Sequence, residues 1–193
     1  MFSDGIILKN NVKTYQINFK ISNIVASTNL SSSVDIEKLA RIVRGSIYEP
    51  EVFSGLYFRL PNNQATITIF SSGKLVCTGA KSEKTTKHSI LETIFDLGKI
   101  LSKEFSHDEI KFQNVVATAD FNTSIDLEFF SKKLKNSKYN IDEFPCIFMH
   151  LERNITLLIF HSGKIVSVGA KSEKNAKSSI LFIKDQFNIL QDG

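Results

Sequence analysis

The sequence predicts an α+β chain built from two tandem copies of one unit, each a small antiparallel sheet with helices on one face. Three observations predict it. Ile69 to Leu91 reads IFSSGKLVCTGAKSEKTTKHSIL and Ile159 to Leu181 reads IFHSGKIVSVGAKSEKNAKSSIL, so about two thirds of the aligned positions are identical. The correspondence extends upstream, where SNIVAST (Ser22 to Thr28) matches QNVVATA (Gln113 to Ala119), VDIEKLARIV matches IDLEFFSKKL, and SIYEPEVFSG matches SKYNIDEFPC. Within each copy, β-branched alternating runs flank stretches with helical spacing.

The elements follow in order. Asn23 to Leu30 alternates polar and β-branched residues and is predicted as a strand. Ser33 is a candidate cap for a helix carrying Ile36, Leu39, Ala40 and Val43 on one face, with Gly45 ending it. Tyr48 to Leu60 supplies a short strand, a loop and a second strand. Pro61-Asn62-Asn63 turns the chain into Ala65 to Phe70, and Ser72-Gly73 turns it into Lys74 to Gly79. Ser82 caps a longer helix with Ile90, Ile94, Leu97 and Leu101 on one face. The second copy repeats this from Asn114 to about Leu190, with Ser172 as the late cap. The two copies are not in perfect register. Asn23 and Asn114 lie 91 apart, as do Phe53 and Phe144, but Phe70 and Phe160 lie 90 apart, as do Lys81 and Lys171. One residue is therefore missing from the second copy, and the turn Glu152-Arg153-Asn154 is the natural place to lose it.

Bulk properties narrow the function classes. With 193 residues, 42% of them hydrophobic, the chain suits one compact domain or two small fused ones. A net charge of +4 favours a polyanionic partner, against the bland alternative of a solvated basic surface. No apolar run reaches the ~20 residues of a membrane helix, and Ile6-Ile7-Leu8 is too short for a signal-peptide core. These features predict a soluble, intracellular protein. Two cysteines, Cys77 and Cys146, make no disulfide framework. His88, His107, His150 and His161 lack zinc-ligand spacing, and there is no phosphate loop, dinucleotide fingerprint or nucleophile elbow. The expectation is a non-enzymatic protein without cofactor or metal.

Strand alternation assigns the faces. Ala65, Ile67 and Ile69 belong under the helices, as do Ile155, Leu157 and Ile159; Thr66, Thr68 and Phe70 then face outward, as do Thr156, Leu158 and Phe160. The same logic groups Asn23, Val25 and Ser27, then Asn114, Val116 and Thr118, then Val76 and Thr78 on the open face. A wide apolar face with sparse amide and hydroxyl groups is a candidate binding surface. A lone Phe is more often core; its recurrence at both ends of the face favours function.

On these residues the chain resembles the TATA-box-binding protein family. IFSSGKLVCTGAKSE and its echo IFHSGKIVSVGAKSE carry the resemblance, which spans about residues 20 to 190. It implies a saddle of two pseudo-symmetric repeats, with a ten-stranded antiparallel sheet gripping the DNA minor groove and four helices on the convex face. The expected division is an N-terminal extension (1–20), a first repeat (21–105) and a second (112–190). By position the resemblance implies that Phe53, Phe70, Phe144 and Phe160 wedge between base pairs, and that Asn23 and Asn114 lie near the centre of the site. Thr78 supplies a hydroxyl whose counterpart is Val168. Val25, Val76, Val116 and Val166 make apolar groove contacts, with Thr68 standing where the family often has leucine and Leu158 keeping the pattern. Arg59, Lys74, Lys81, Lys164 and Lys171 contact phosphates, and His150 replaces the second arginine. Asp142 and Glu143 in the second stirrup loop are candidates for meeting a transcription factor B-type protein. The implied partners are A·T-rich promoter DNA, that factor and the RNA polymerase initiation complex.

The implied recognition has a physical basis. The minor groove shows A·T and T·A pairs as nearly the same acceptor pattern, while G·C adds an amino donor. A flat apolar face with a few Asn and Thr groups fits the former. Unstacking base steps costs a few kcal/mol each, and this family is itself a standard example of such wedging. The expected role is a general initiation factor; the alternative is a divergent paralogue or scaffold working mainly through protein contacts, which Thr68, Val168, His150 and the shortened hairpin favour. A weaker option is a substrate-binding module of a nucleic-acid enzyme. The near-equal repeats suit an archaeal-type member and the basic pI a eukaryotic one, leaving nucleus or cytoplasm open. The lysines of the long helices (Lys84, Lys87, Lys99, Lys103, Lys174, Lys177, Lys184) make basic faces, read first as solvated and second as sites for other factors.

Overall fold

Residues 17–59 and 65–191 are described by a computed structural model. The strands are β1 (Lys20–Asn29), β2 (Gly55–Phe58), β3 (Thr66–Phe70), β4 (Lys74–Ala80), β5 (Lys111–Asp120), β6 (Ser137–Asn140), β7 (Phe144–His150), β8 (Thr156–Phe160) and β9 (Lys164–Ala170). The helices are α1 (Ile36–Ile42), α2 (Glu83–Leu101), α3 (Leu127–Lys133) and α4 (Glu173–Gln191). All strands join one antiparallel sheet in the order β2-β3-β4-β1-β5-β9-β8-β7-β6. The order is a palindrome about the β1–β5 pair except at its ends. The sheet forms an open saddle with the four helices on its convex side.

The strand count corrects the expected ten to nine among the described residues. In the second copy β6 pairs with β7. Its counterpart in the first copy is reduced to an isolated bridge between Ile47 and Tyr57. Pro50 is the reason. It cannot donate to a ladder and presets a turn, and the Glu49 carbonyl is taken up by the N–H groups of Val52 and Phe53 at 2.9 and 2.8 Å. Ile141 stands at the corresponding place in the second copy, and pairing there runs on to Asn140.

The helix caps are partly as expected. Ser82 accepts from the Thr85 N–H at 3.0 Å and Ser172 from the Asn175 N–H at 3.1 Å. For α1 the cap is Asp35 and not Ser33: its carboxylate accepts from the Lys38 N–H at 2.9 Å, and Asp126 does the same for α3. Ser33 is two positions too early, because the buried Val34 precedes the cap and Ile36 opens the first turn. The helix has already ended at Ile42, and Gly45 (φ +81°) serves the turn beyond it. The turn Pro61-Asn62-Asn63 lies outside the described residues, as does most of the proposed N-terminal extension. Phe19 packs against the second core just ahead of β1, and Ile21 lies within it.

Beneath the helices, Leu56, Ile67, Ile69, Leu75, Ile90 and Leu97 pack the first core. Ile147, Leu157, Ile159, Ile165, Ile180, Ile183 and Phe187 pack the second. Ile24, Val115, Ala117, Ile155, Ala170 and Ala176 form a smaller cluster spanning both copies. Each fully buried Ile or Leu contributes about 1.5–3 kcal/mol, so the aliphatic half of every alternating strand is committed to the helix side. The other half is left for function. Burial pushes the Cys77 thiol up to about 11 and raises that of Cys146 as well, so both stay protonated inside the fold.

Candidate nucleic-acid interface

The open face is built outward from the β1–β5 pair. Asn23 lies opposite Val116 and Val25 opposite Asn114, an exchange expected of a pseudo-twofold axis. Outside this centre, Val76 of β4 pairs with Thr68 and Thr78 with Thr66. In the second copy Val166 pairs with Leu158 and Val168 with Thr156. Asn23, Val25, Val76, Thr78, Asn114, Val116, Leu158, Val166 and Val168 are all half-buried, whereas their strand neighbours on the helix side are buried.

Both asparagines are oriented by the backbone. The Asn23 Oδ1 accepts from the Gly79 N–H at 2.7 Å, and the Asn114 Oδ1 accepts from the Gly169 N–H at 2.8 Å. Only the amide oxygen can accept, so each NH2 group is left as the outward donor. The glycines make this possible. Gly79 and Gly169 have φ of +96° and +91°, beside register shifts in the β1–β4 and β5–β9 ladders. The two halves then differ. Asn23 Nδ2 also reaches the Thr78 hydroxyl at 3.5 Å, while the place of that hydroxyl is taken by Val168 in the second half.

The four phenylalanines gather as two pairs at opposite ends of the sheet. Phe53 and Phe70 meet edge to face with ring centroids 5.8 Å apart, and Phe144 and Phe160 do so at 6.4 Å. None of the four is core: Phe53 is 37% and Phe144 45% exposed, and Phe70 and Phe160 are half-buried. A third ring joins each pair, Tyr57 stacking on Phe53 at 5.2 Å and Phe148 approaching Phe144 at 5.6 Å. These two were missed by sequence reasoning, although the alternation of Leu56-Tyr57-Phe58 places Tyr57 on the open face, opposite Thr68. Gly55 lets the first cluster close, since a Cβ there would stand 2.6 Å from both Phe53 Cε1 and Thr68 Cγ2. Thr68 is consequently only 6% exposed. It shares the face as expected but lies covered, unlike its counterpart Leu158.

The missing residue is now located. Arg59 Nη2 donates to the Thr66 hydroxyl at 3.2 Å, and His150 Nδ1 meets the Thr156 hydroxyl at 3.1 Å, so both copies match up to that point. The deletion lies in the connection beyond, which in the second copy is a short 3-10 turn, Glu152–Asn154. That turn is at the far end of the β7–β8 hairpin from Phe144 and Phe160, so the second aromatic cluster is unaffected.

Cations rim the face. Lys74 and Lys164 open β4 and β9, and Lys81 and Lys171 follow their ends; all four are exposed. The Lys171 ammonium donates to the Gln113 carbonyl. Asp142 and Glu143 are exposed in the turn between β6 and β7. Among the described residues, no group of three or more His, Cys, Asp or Glu is placed to hold a metal, and no helix is long and apolar enough to cross a membrane. The arrangement suits an elongated polyanion with an acceptor-lined, shallow apolar surface: donors at the centre, flat aliphatic contact around them, rings at both ends and positive charge at the edges.

Comparison with known proteins agrees. The model of the family described as transcription factor TFIID (or TATA-binding protein, TBP) matches residues 18–101 and 109–191. A TATA-box-binding protein of Methanobrevibacter smithii is 37% identical over 176 residues, covering 90% of this chain and 97% of that protein. One of Methanocaldococcus jannaschii is 36% identical over 182 residues, covering 94% and 100%. Among solved structures, Methanococcus jannaschii TBP superposes with a TM-score of 0.74 at 35% identity, over 91% of this chain and 99% of that one.

Proposed function

The chain belongs to the TATA-binding protein family, and from that premise we propose that it is a general transcription initiation factor that grips A·T-rich promoter DNA through the minor groove. The observation that carries the proposal is the pair of backbone-oriented asparagine amides at the centre of an apolar face closed at both ends by phenylalanine pairs. The amides donate to adenine N3 and thymine O2, while the surrounding valines and Leu158 offer nothing to a guanine amino group. Phe53 with Phe70, and Phe144 with Phe160, enter base steps and kink the duplex, and TA steps yield most easily. Arg59, Lys74, Lys81, Lys164 and Lys171 meet phosphates, so affinity falls with salt. On this reading 21–105 and 112–190 are the two functional repeats. Asp142 and Glu143 receive a basic surface of a transcription factor B-type protein, which brings in the polymerase. The protein acts inside the cell and performs no catalysis.

The test is a mobility-shift titration on a TATA duplex against a G·C-scrambled duplex at two salt concentrations. The expected result is at least about a hundredfold preference for TATA, with both affinities dropping as salt rises. Equal affinity for the two duplexes would favour the other reading, a relative that works mainly through protein contacts, for which Val168, His150 and the covered Thr68 speak.

Val168 supplies a second test. Val168→Thr restores the hydroxyl that Thr78 provides in the first half, and one hydrogen bond of about 1 kcal/mol corresponds to roughly fivefold tighter binding. An unchanged dissociation constant would show that the second half does not use this position.

A further inference from the structure

We propose that Glu83 and Glu173 form a reciprocal latch between the two repeats, setting the angle at which their joined open face meets DNA. The inference rests on the DNA-binding reading above, and the two glutamates act as positioning residues, since they lie on the helix side and touch no part of the proposed interface.

The latch follows from the duplication. Both copies carry Lys-Ser-Glu-Lys after their last strand, so each long helix begins with an acid at its first helical position. Strands β4 and β9 flank the central β1–β5 pair, and each helix starts three residues beyond its strand, which brings both helix N-termini to the axis. The serine caps serve N–H groups deeper in their own helices. The first N–H of each helix is left over, and the opposite repeat satisfies it. The Glu83 N–H donates to Glu173 Oε1, and the Glu173 N–H donates to Glu83 Oε1 at 2.7 Å. An ordinary first-turn acid answers its own helix; these two answer each other's. The two carboxylates repel, but each faces the positive ends of two helices, and charge-assisted bonds to backbone N–H groups are stronger than neutral ones.

This contact governs geometry because the other tie on that side, the apolar cluster of Ile24, Val115, Ala117, Ile155, Ala170 and Ala176, is non-directional and sets no angle. The halves share the β1–β5 ladder, whose register shifts twice, between Ile21 and Asn23 and between Val25 and Ala26. Side-chain bonds across the ladder run from Ser22 to Thr118 and from Gln113 to Ser27. A two-strand joint with bulges can twist and flex. Flexing it changes the separation of the helix N-termini, so a pair of bonds that fixes this separation fixes the curvature of the open face.

The experiment is a pulsed-EPR distance measurement in the whole chain. Nitroxides are attached at Lys84→Cys and Lys174→Cys, both exposed, while native Cys77 and Cys146 are buried. The latch is intact, replaced by Glu83→Ala with Glu173→Ala, or replaced by Glu83→Gln with Glu173→Gln. The alanine pair is expected to broaden the distance distribution and to weaken binding to the TATA duplex about tenfold, the loss of two charge-assisted bonds partly offset by relief of repulsion. The glutamine pair keeps both acceptor oxygens and is expected to hold the native distance and to bind within about threefold. Should the alanine pair fail to fold, Glu173→Ala alone must still broaden the distribution. A native-like distribution in the alanine variants would overturn the latch, as would a glutamine pair indistinguishable from the alanine pair. If the unaltered protein itself binds no duplex, the DNA reading fails, an outcome separable from an unchanged distance with binding intact.

Discussion

Phe70→Ala and Phe160→Ala are each expected to reduce DNA bending far more than Lys74→Ala, and to weaken TATA binding by about 2 kcal/mol or more, roughly thirtyfold. Each ring stands at an end of the open face with a second ring against it, at 5.8 Å for Phe53 and 6.4 Å for Phe144. Removing one ring takes one wedge from its end and leaves the partner held only by the third ring, Tyr57 on Phe53 or Phe148 on Phe144, and on the proposed reading a single wedge holds a base step open less well than the pair. On the same reading, opening the groove lets the flat strands behind the wedge reach base edges, so binding is expected to fall with the bend. Lys74 contacts only phosphate on the proposed reading, and its loss should lower affinity evenly across sequences and flatten the salt dependence. Bend angles from fluorescence or gel phasing decide the matter. Equal bending in all three variants would eliminate wedging.

Gly169→Ala is expected to destabilise the fold by about 3 kcal/mol and to impair binding at the second half-site. Gly169 has φ +91°, and a Cβ there would lie 2.1 Å from the Asn154 carbonyl oxygen and 3.2 Å from its carbon. Those are backbone atoms of the shortened turn, which cannot move aside as a side chain would. The Gly169 N–H also orients Asn114, so any shift that relieves the clash turns the central donor away from its outward position on the open face. Gly45→Ala is the control: φ is +81° but nothing lies within 4 Å of the added Cβ, and conformational strain alone costs about 1–2 kcal/mol. Denaturant melts of the two variants give the comparison. A Gly169 variant no less stable than the Gly45 variant would refute the packing argument.

Much of this was legible in the chain because the repeat shows every structural decision twice. Alternation assigned Ile67 and Ile69 to the core and Phe70 to the open face, as did Leu157, Ile159 and Phe160 in the second copy. Period-2 burial is local and leaves no other arrangement when one side is covered. What failed was also local in appearance. Ser33 looked like a cap, but position relative to the buried Val34 and Ile36 decided for Asp35. The tenth strand was expected from the resemblance, and Pro50 with the turn it sets dissolved it into the bridge at Ile47. The covering of Thr68 and the third ring in each aromatic cluster depend on which strands become neighbours, information that no single segment contains.

The sequence by itself determined the two repeats, the faces of their strands, the long-helix caps and most of the residues on the open face, since these follow from periodicity and from residue chemistry within a few positions. Only the tertiary structure decided how the copies meet. The Asn–Gly hydrogen bonds span 56 and 55 residues along the chain, and the exchanged glutamate bonds span 90. The Asn–Gly bonds form when β1 pairs with β4 and β5 with β9, and the glutamate exchange forms when β1 pairs with β5, because hydrogen-bond geometry at about 3 Å is a property of packed backbones and not of sequence spacing.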